Sequence, residues 1–378
     1  MMIYLDNAAT TRPAAPVIEA VTDCLTAHWG NPSSLHRFGL DAQLGMDAAR
    51  KTIAAAIGAE AGNILFTSGA TESSNLAIRS TAASRGRHKP HIVTSAVEHA
   101  SVRSTVDALE AQGMRVTRVL PREDGRFYAE DFLDAVTPDT CLITMMYCEN
   151  ETGRILPVER VFRTVKRKRP DILLHCDAVQ AFMKLPVHVE DLKADLMSMS
   201  AHKIHGPKGV GALYVRKGVH LVPSVTGGEQ ERGVRPGTEA VPLICGFGAA
   251  VQYMQPTVRE RYDRVAKLRE ETIARLQALP FVTINSDEAG SPYILNFSVA
   301  GIRSEIMLHY LEEREIYVSS GSACSRGKKS GVLTAYGIPD PLADCAIRVS
   351  FCGDTPEEAP ARLTEAVQAA HETLIHKS

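Results

Sequence analysis

Apolar runs of four to six residues recur along the first two-thirds of the chain, at 64–67, 91–95, 115–120, 141–146, 173–177, 196–200 and 212–215. Between them lie longer stretches, such as 41–57, 101–112 and 157–169, whose apolar residues return every three or four positions. The short runs suit buried strands and the long stretches suit helices. Repetition of strand then helix predicts an α/β layered fold with a mainly parallel sheet, because parallel neighbours need a crossover connection between them.

Beyond Gly246 the texture changes to a charged, helix-favouring stretch at about 249–279, containing RERYDRVAKLREE and ending before Pro280. It reads as one linker helix into a smaller domain. That domain is expected to hold strands at 293–298, 316–319 and 346–351, then an amphipathic helix bearing Leu363, Val367, Ala370 and Leu374. The basic run Lys166-Arg167-Lys168-Arg169 reads as a solvated helix end.

Composition narrows the class. Of 378 residues, 42 are Lys or Arg and 44 are Asp or Glu, so no field attracts a polyanion and direct nucleic-acid binding is not expected. Eight cysteines without a C-x-x-C pair or zinc-type spacing are too few for a disulfide scaffold and predict a reducing compartment. With no leader pattern and no apolar run of about 18 residues, a cytoplasmic protein that does not enter a membrane is expected.

Four stretches carry chemistry. FTSGATES at 66–73 passes from strand through a glycine turn into a helix start, where free N–H groups and hydroxyls would receive a phosphate or form an ordinary cap. Walker and dinucleotide-binding glycine patterns are missing here, so neither ATP nor NAD is indicated. HCDAVQ at 175–180 ends an apolar run in Asp177, with Gln180 beyond it; at the carboxyl end of a parallel strand the acid would face a ligand cleft, or it would cap a helix. SMSAHKIHGPKG at 198–209 sets a lysine among hydroxyl and imidazole groups, suited to condensing with an aldehyde, but the pattern does not separate Lys203 from Lys208. In SSGSACSRGKKSG at 319–331, Cys324 lies among small and basic residues that favour an accessible thiolate. Cys24, Cys141, Cys245 and Cys352 have apolar neighbours and read as core.

Together these stretches, with LDNAATT at 5–11, NPSSLHRFG at 31–39, EHAS at 98–101, RPGTE at 235–239 and IRVSF at 347–351, resemble the cysteine desulfurases of the nitrogen-fixation and iron–sulfur-assembly type, within the class V aminotransferases. The resemblance spans essentially the whole chain in order. It implies the fold type I architecture of pyridoxal 5'-phosphate enzymes: a large domain at 15–255 with a seven-stranded, mainly parallel sheet, and a smaller α+β domain formed by 1–14 and 256–378.

The resemblance also implies roles. Lys203 would hold the cofactor covalently, Asp177 would pair with its pyridine nitrogen, and His99 would stack on the ring and assist proton transfer. Gln180 and Asn150 would bond the ring hydroxyl region. Ala70, Thr71, Ser200 and His202 would form the phosphate cup, with Thr238 reaching in from a second subunit, which implies a homodimer. Arg348, assisted by Asn150, would bind the carboxylate of L-cysteine. Cys324 would take the substrate sulfur as a persulfide, with L-alanine released, and pass it to an acceptor such as an iron–sulfur scaffold or a tRNA-thiolation enzyme. It would also serve as a transient ligand of a forming iron–sulfur cluster. Two departures stand out: ENETG at 149–153 replaces the commoner NNEIG, and the segment after Cys324 is short and basic. Selenocysteine lyase, another class V transaminase or lyase, and a non-catalytic binding platform are the competing readings.

Overall fold

The computed structural model describes residues 2–320 and 330–374. Each of the first seven apolar runs forms a strand, and all seven join in one sheet, in the order Ile64–Thr67, Gly211–Val215, Leu196–Ser200, Leu173–Asp177, Thr140–Met146, His91–Ser95, Arg115–Val119. Gly211–Val215 runs antiparallel to both its neighbours and the other pairings are parallel. The inner strands are buried along their whole length because helices cover both faces. One covering helix, Val158–Lys168, buries Val158, Val161, Phe162 and Val165, the three- and four-residue spacing that one helix face requires. Its basic end is solvated at Arg167 and Lys168, as expected, but Lys166 departs from that reading: its Nζ lies 2.6 Å from the fully buried Asp195 carboxylate and its side chain is only 14% exposed.

The expected linker helix is two helices. Val241–Met254 packs against Ala15–Thr26 and Arg37–Ala56, and Val258–Gln277 begins afresh after a 3-10 turn at Gln255–Thr257. Pro256 in that turn has no N–H to continue the first helix, so the break falls there. Beyond it, a four-stranded antiparallel sheet runs in the order Ser319–Ser320, Ala346–Ser350, Ile294–Val299, Val282–Ile284. The run expected at 316–319 is divided between partners: Ile316–Tyr317 pairs with the N-terminal Ile3–Tyr4, while Ser319–Ser320 joins the sheet. In the final helix, Ala359–Thr373, Leu363, Val367 and Ala370 are buried as expected, but Leu374 is the extended residue that ends it. Among the described residues no helix is long and apolar enough to cross a membrane.

Candidate active site

Parallel strands deliver their last residues to one edge of the sheet, and there Asp177 ends Leu173–Asp177 in register with Ser198, two residues before Ser200 ends Leu196–Ser200. Strand alternation puts His175 with Asp177, and Ser198 with Ser200, on the same face. A buried chain of hydrogen bonds fixes which helix covers that face: Thr144 Oγ1 lies 2.8 Å from His175 Nδ1, His175 Nε2 lies 2.9 Å from Ser198 Oγ, and Ser74 of the Ala70–Arg85 helix donates to Ser198 Oγ at 3.1 Å. Burial depresses the His175 imidazole to about 3, so it is a neutral link in this chain.

Asp177 is buried, with Oδ1 accepting from Val179 N–H at 3.0 Å. Burial pushes its carboxyl above the usual value, against the opposing influence of His99, the Val179 bond and Lys203. His99 caps the Ala100–Glu110 helix through Nδ1, which accepts from Ser101 N–H at 3.2 Å; the proton of the neutral ring therefore sits on Nε2. Burial pulls His99 below its ordinary pKa, Asp177 opposes that, and the charges of Lys203 and Arg103 add to it. Beneath them Glu98 Oε1 accepts from the Ser95 hydroxyl at 2.5 Å and from Met146 N–H at 2.9 Å.

The N-terminal segment is the hub. Lys203 Nζ donates to the carbonyls of Ala8 and, at 2.7 Å, Ala9; Gln180 Nε2 donates to the same Ala8 carbonyl at 2.9 Å. His202 Nδ1 lies 3.2 Å from Thr10 Oγ1, while Thr11 donates its hydroxyl to the His202 carbonyl at 2.9 Å. Arg348, 6% exposed, reaches the same segment from the smaller sheet, donating to Asp6 Oδ1 at 2.9 Å and to the Asn150 carbonyl at 3.0 Å; its buried Nε has no hydrogen-bond partner among the described residues. LDNAATT was legible as a motif, but nothing in its residue types indicated that its carbonyls receive the lysine. Glu98 and His175 were equally unmarked, each an ordinary polar residue inside a longer motif.

Of the two lysines, Lys203 is the one whose amine lies near Asp177, His99 and the Ala8 carbonyl, whereas Lys208 is exposed. The ENETG departure also has a local explanation. Glu149 is fully buried and turns back on its own loop, accepting from Glu151 N–H at 2.6 Å, from Thr152 N–H at 2.7 Å and from the Thr152 hydroxyl at 2.7 Å. Glu151 accepts from the Ser330 hydroxyl at 2.6 Å, and burial together with the Glu149 charge pushes it up to about 8.

At the Ala70–Arg85 helix start, Gly69 is the cap, and a Cβ built on it would meet no atom of the described residues within 4 Å. Opposite, Gly211 has no such room: its Cβ would lie 2.6–2.8 Å from backbone atoms of Gly69 and Met199. Ala70 is half-buried, Thr71 and Thr238 are exposed, and Arg235 of RPGTE pairs with Glu72 in the helix's first turn at 3.0 Å. A buried acid, a neutral imidazole, an amine, an incompletely bonded guanidinium and an open helix start together fit a cofactor that carries an aldehyde, a basic ring nitrogen and a phosphate. Cys324 lies outside the described residues. Of the four cysteines expected in the core, Cys24 and Cys141 are buried; Cys245 and Cys352 are half-buried, because each ends up beside polar groups from distant segments.

The model of the class V aminotransferase family matches residues 3–362. A Lactobacillus delbrueckii subsp. bulgaricus protein described as a NifS/IcsS protein homolog is 40% identical over 95% of this chain and 94% of its own. The cysteine desulfurase of a Nostoc species is 38% identical over 99% of this chain and 94% of its own. A solved NifS-like protein superposes with a TM-score of 0.94 at 36% identity, covering 99% of this chain and all of that one. Fold, site chemistry and sequence agree: the chain belongs to the class V aminotransferases and is a pyridoxal-phosphate-dependent enzyme.

Proposed function

We propose that this enzyme is a cysteine desulfurase, which converts L-cysteine to L-alanine and retains the sulfur as a persulfide on Cys324. The observation that carries the reading is the convergence of Asp177 and His99 on Lys203, while Lys203 and Arg348 both bond to the short segment 6–10. When bound, pyridoxal phosphate supplies an electron sink conjugated to the substrate's α-carbon. Lys203 would be the amine that holds the cofactor and moves the α-proton. Asp177 would keep a proton at the ring nitrogen, and His99, with its own proton on Nε2, would lie against the ring and serve the proton transfers. Gln180 and Asn150 would bond the ring hydroxyl region. Ala70, Thr71, Ser200 and His202 would hold the phosphate, completed by Thr238 from a second copy in a homodimer.

Arg348, oriented by Asp6, presents its guanidinium to the substrate carboxylate with help from Asn150. The Cys324 thiolate then attacks the substrate sulfur: the S–S bond forms, the C–S bond breaks, and the β-carbon takes up a proton to leave as L-alanine. The division into a cofactor domain at 15–255 and a smaller domain at 1–14 and 256–378 brings Arg348 to the cofactor. Delivery from Cys324 to an acceptor protein, an iron–sulfur scaffold or a tRNA-thiolation enzyme, in the cytoplasm follows from the same reading.

The test is turnover of L-cysteine by the purified holoenzyme with a thiol reductant. Equimolar L-alanine and sulfide are expected, and Cys324→Ala should reduce turnover by at least about a hundredfold with cofactor absorbance intact. Pyruvate as product, or undiminished turnover by Cys324→Ala, would remove the persulfide step.

A further inference from the structure

His205 lies far in the sequence from Cys352 and Asp354, which are two residues apart, and no motif links it to them. In the fold, one ring nitrogen of His205, the Cys352 sulfur and a carboxylate oxygen of Asp354 lie within 4.8 Å of one another. His205 follows the lysine turn; Cys352 and Asp354 form the turn after the Arg348 strand.

Each of these residues is held as a ligand would be. The His205 ring donates from Nδ1 to the Arg12 carbonyl at 3.0 Å, since a carbonyl can only accept, and this leaves the lone pair on Nε2. Its backbone is pinned at φ +64° by bonds of 2.7 Å to Thr11 Oγ1 and 3.0 Å from Ala14 N–H. The Thr355 hydroxyl points its proton at Cys352 Sγ, 3.7 Å away, as it would at a metal-bound thiolate. Arg261 holds Asp354 through Oδ1 at 3.2 Å, leaving the second oxygen free on a side chain that is 57% exposed.

We propose that His205, Cys352 and Asp354 form a binding site for a borderline-soft divalent metal, zinc by preference, that clasps the lysine turn to the turn following the Arg348 strand. One nitrogen, one sulfur and one oxygen donor match that class, and water would complete a tetrahedron. Bonds of about 2.0–2.3 Å place tetrahedral ligands roughly 3.5 Å apart, so the cluster closes by about an ångström, with the exposed Asp354 side chain moving most. Binding releases the thiol proton to water as the metal–sulfur bond forms, with no change of oxidation state. Lys184 and Arg261 are the cations facing the cluster. Thiolate and carboxylate together neutralise the dication, so neither cation meets a net positive charge.

The test uses the full-length holoenzyme carrying Cys324→Ala, which removes a competing thiol, and titrates it with cobalt(II) alone. One equivalent per chain should give tetrahedral d–d bands and a sulfur-to-cobalt charge-transfer band, read as difference spectra and erased by zinc. Cys352→Ser should abolish the charge-transfer band, and Asp354→Asn should weaken cobalt binding by at least about tenfold. Asp354 is exposed, so that variant decides the matter even if Cys352→Ser fails to fold. Absence of the bands in the parent, or cobalt affinity unaltered in Asp354→Asn, overturns the site.

Discussion

Glu98 is a carboxyl group with no route to water, and burial raises it to about 8 in spite of the hydrogen bonds from Ser95 and Met146. Its ordinary value is 4.5. Between those values the folded chain keeps a proton that the unfolded chain gives up, so this group subtracts stability as the pH rises, by about 1.4 kcal/mol per pH unit, and stops doing so above about 8. Glu98→Gln, which fills the same space and never ionises, should be no more stable than the parent near pH 5 and progressively more stable up to pH 8. Chemical denaturation of both proteins across that range checks the sign, and an advantage that does not vary with pH contradicts it. Asp177 was legible as a site residue because an acid ending an apolar run is conspicuous. Glu98 was not, because its burial is supplied by strands distant in sequence.

Among the elements, the Gly211–Val215 strand and the start of the Ala70–Arg85 helix depend on each other. The strand runs against the direction of its neighbours, which sets Gly211 directly over the Gly69 turn. Gly211→Ala forces a methyl into backbone atoms that cannot rotate away, and overpacking of this kind costs about 1–3 kcal/mol. Unfolding should show that loss, and titration with pyridoxal phosphate should show weaker binding, because the displaced turn is the one proposed to receive the phosphate. Gly62→Ala is the control: its added Cβ meets nothing within 4 Å, and stability and cofactor affinity should hold. The strands and helices were largely legible from their apolar spacing. The reversed strand was not, since alternation and length are the same in either direction. The break at Gln255–Thr257 was overlooked because the charged pattern continues across it; Pro256 was the local signal that could have placed it.

At the scale of the whole molecule, the chain closes on itself through its first residues. Asn7 Nδ2 donates to the Ser350 carbonyl at 2.8 Å, joining positions 343 apart, and Ala8 N–H donates to the Ser350 hydroxyl at 2.7 Å. The next carbonyls then receive Lys203 and Gln180. Removing the buried amide strands the Ser350 carbonyl, at about 1–3 kcal/mol. Asn7→Ala should therefore lower stability by that amount in denaturant unfolding, and should also weaken cofactor binding, because the segment that orients Lys203 loses its anchor. Stability lost with unchanged cofactor affinity would mean that the closure is structural only.

The sequence by itself determined the layered α/β architecture, through the period of its apolar positions, and the chemistry of the site, through residue types confined to short motifs. Asp177 could be picked out from its own stretch, and the family resemblance pointed to Lys203, His99 and Arg348, because a motif is local and survives without the fold. Tertiary structure alone decided which lysine lies near the acid and the imidazole, what Glu149 does with its carboxylate, and that the N-terminal carbonyls face the amine. It also decided that His205 lies beside the turn of Cys352 and Asp354, a meeting no spacing rule could find. Those outcomes depend on distances between segments remote along the chain, and such distances are set by how strands and turns pack, not by the order of residues within any one of them.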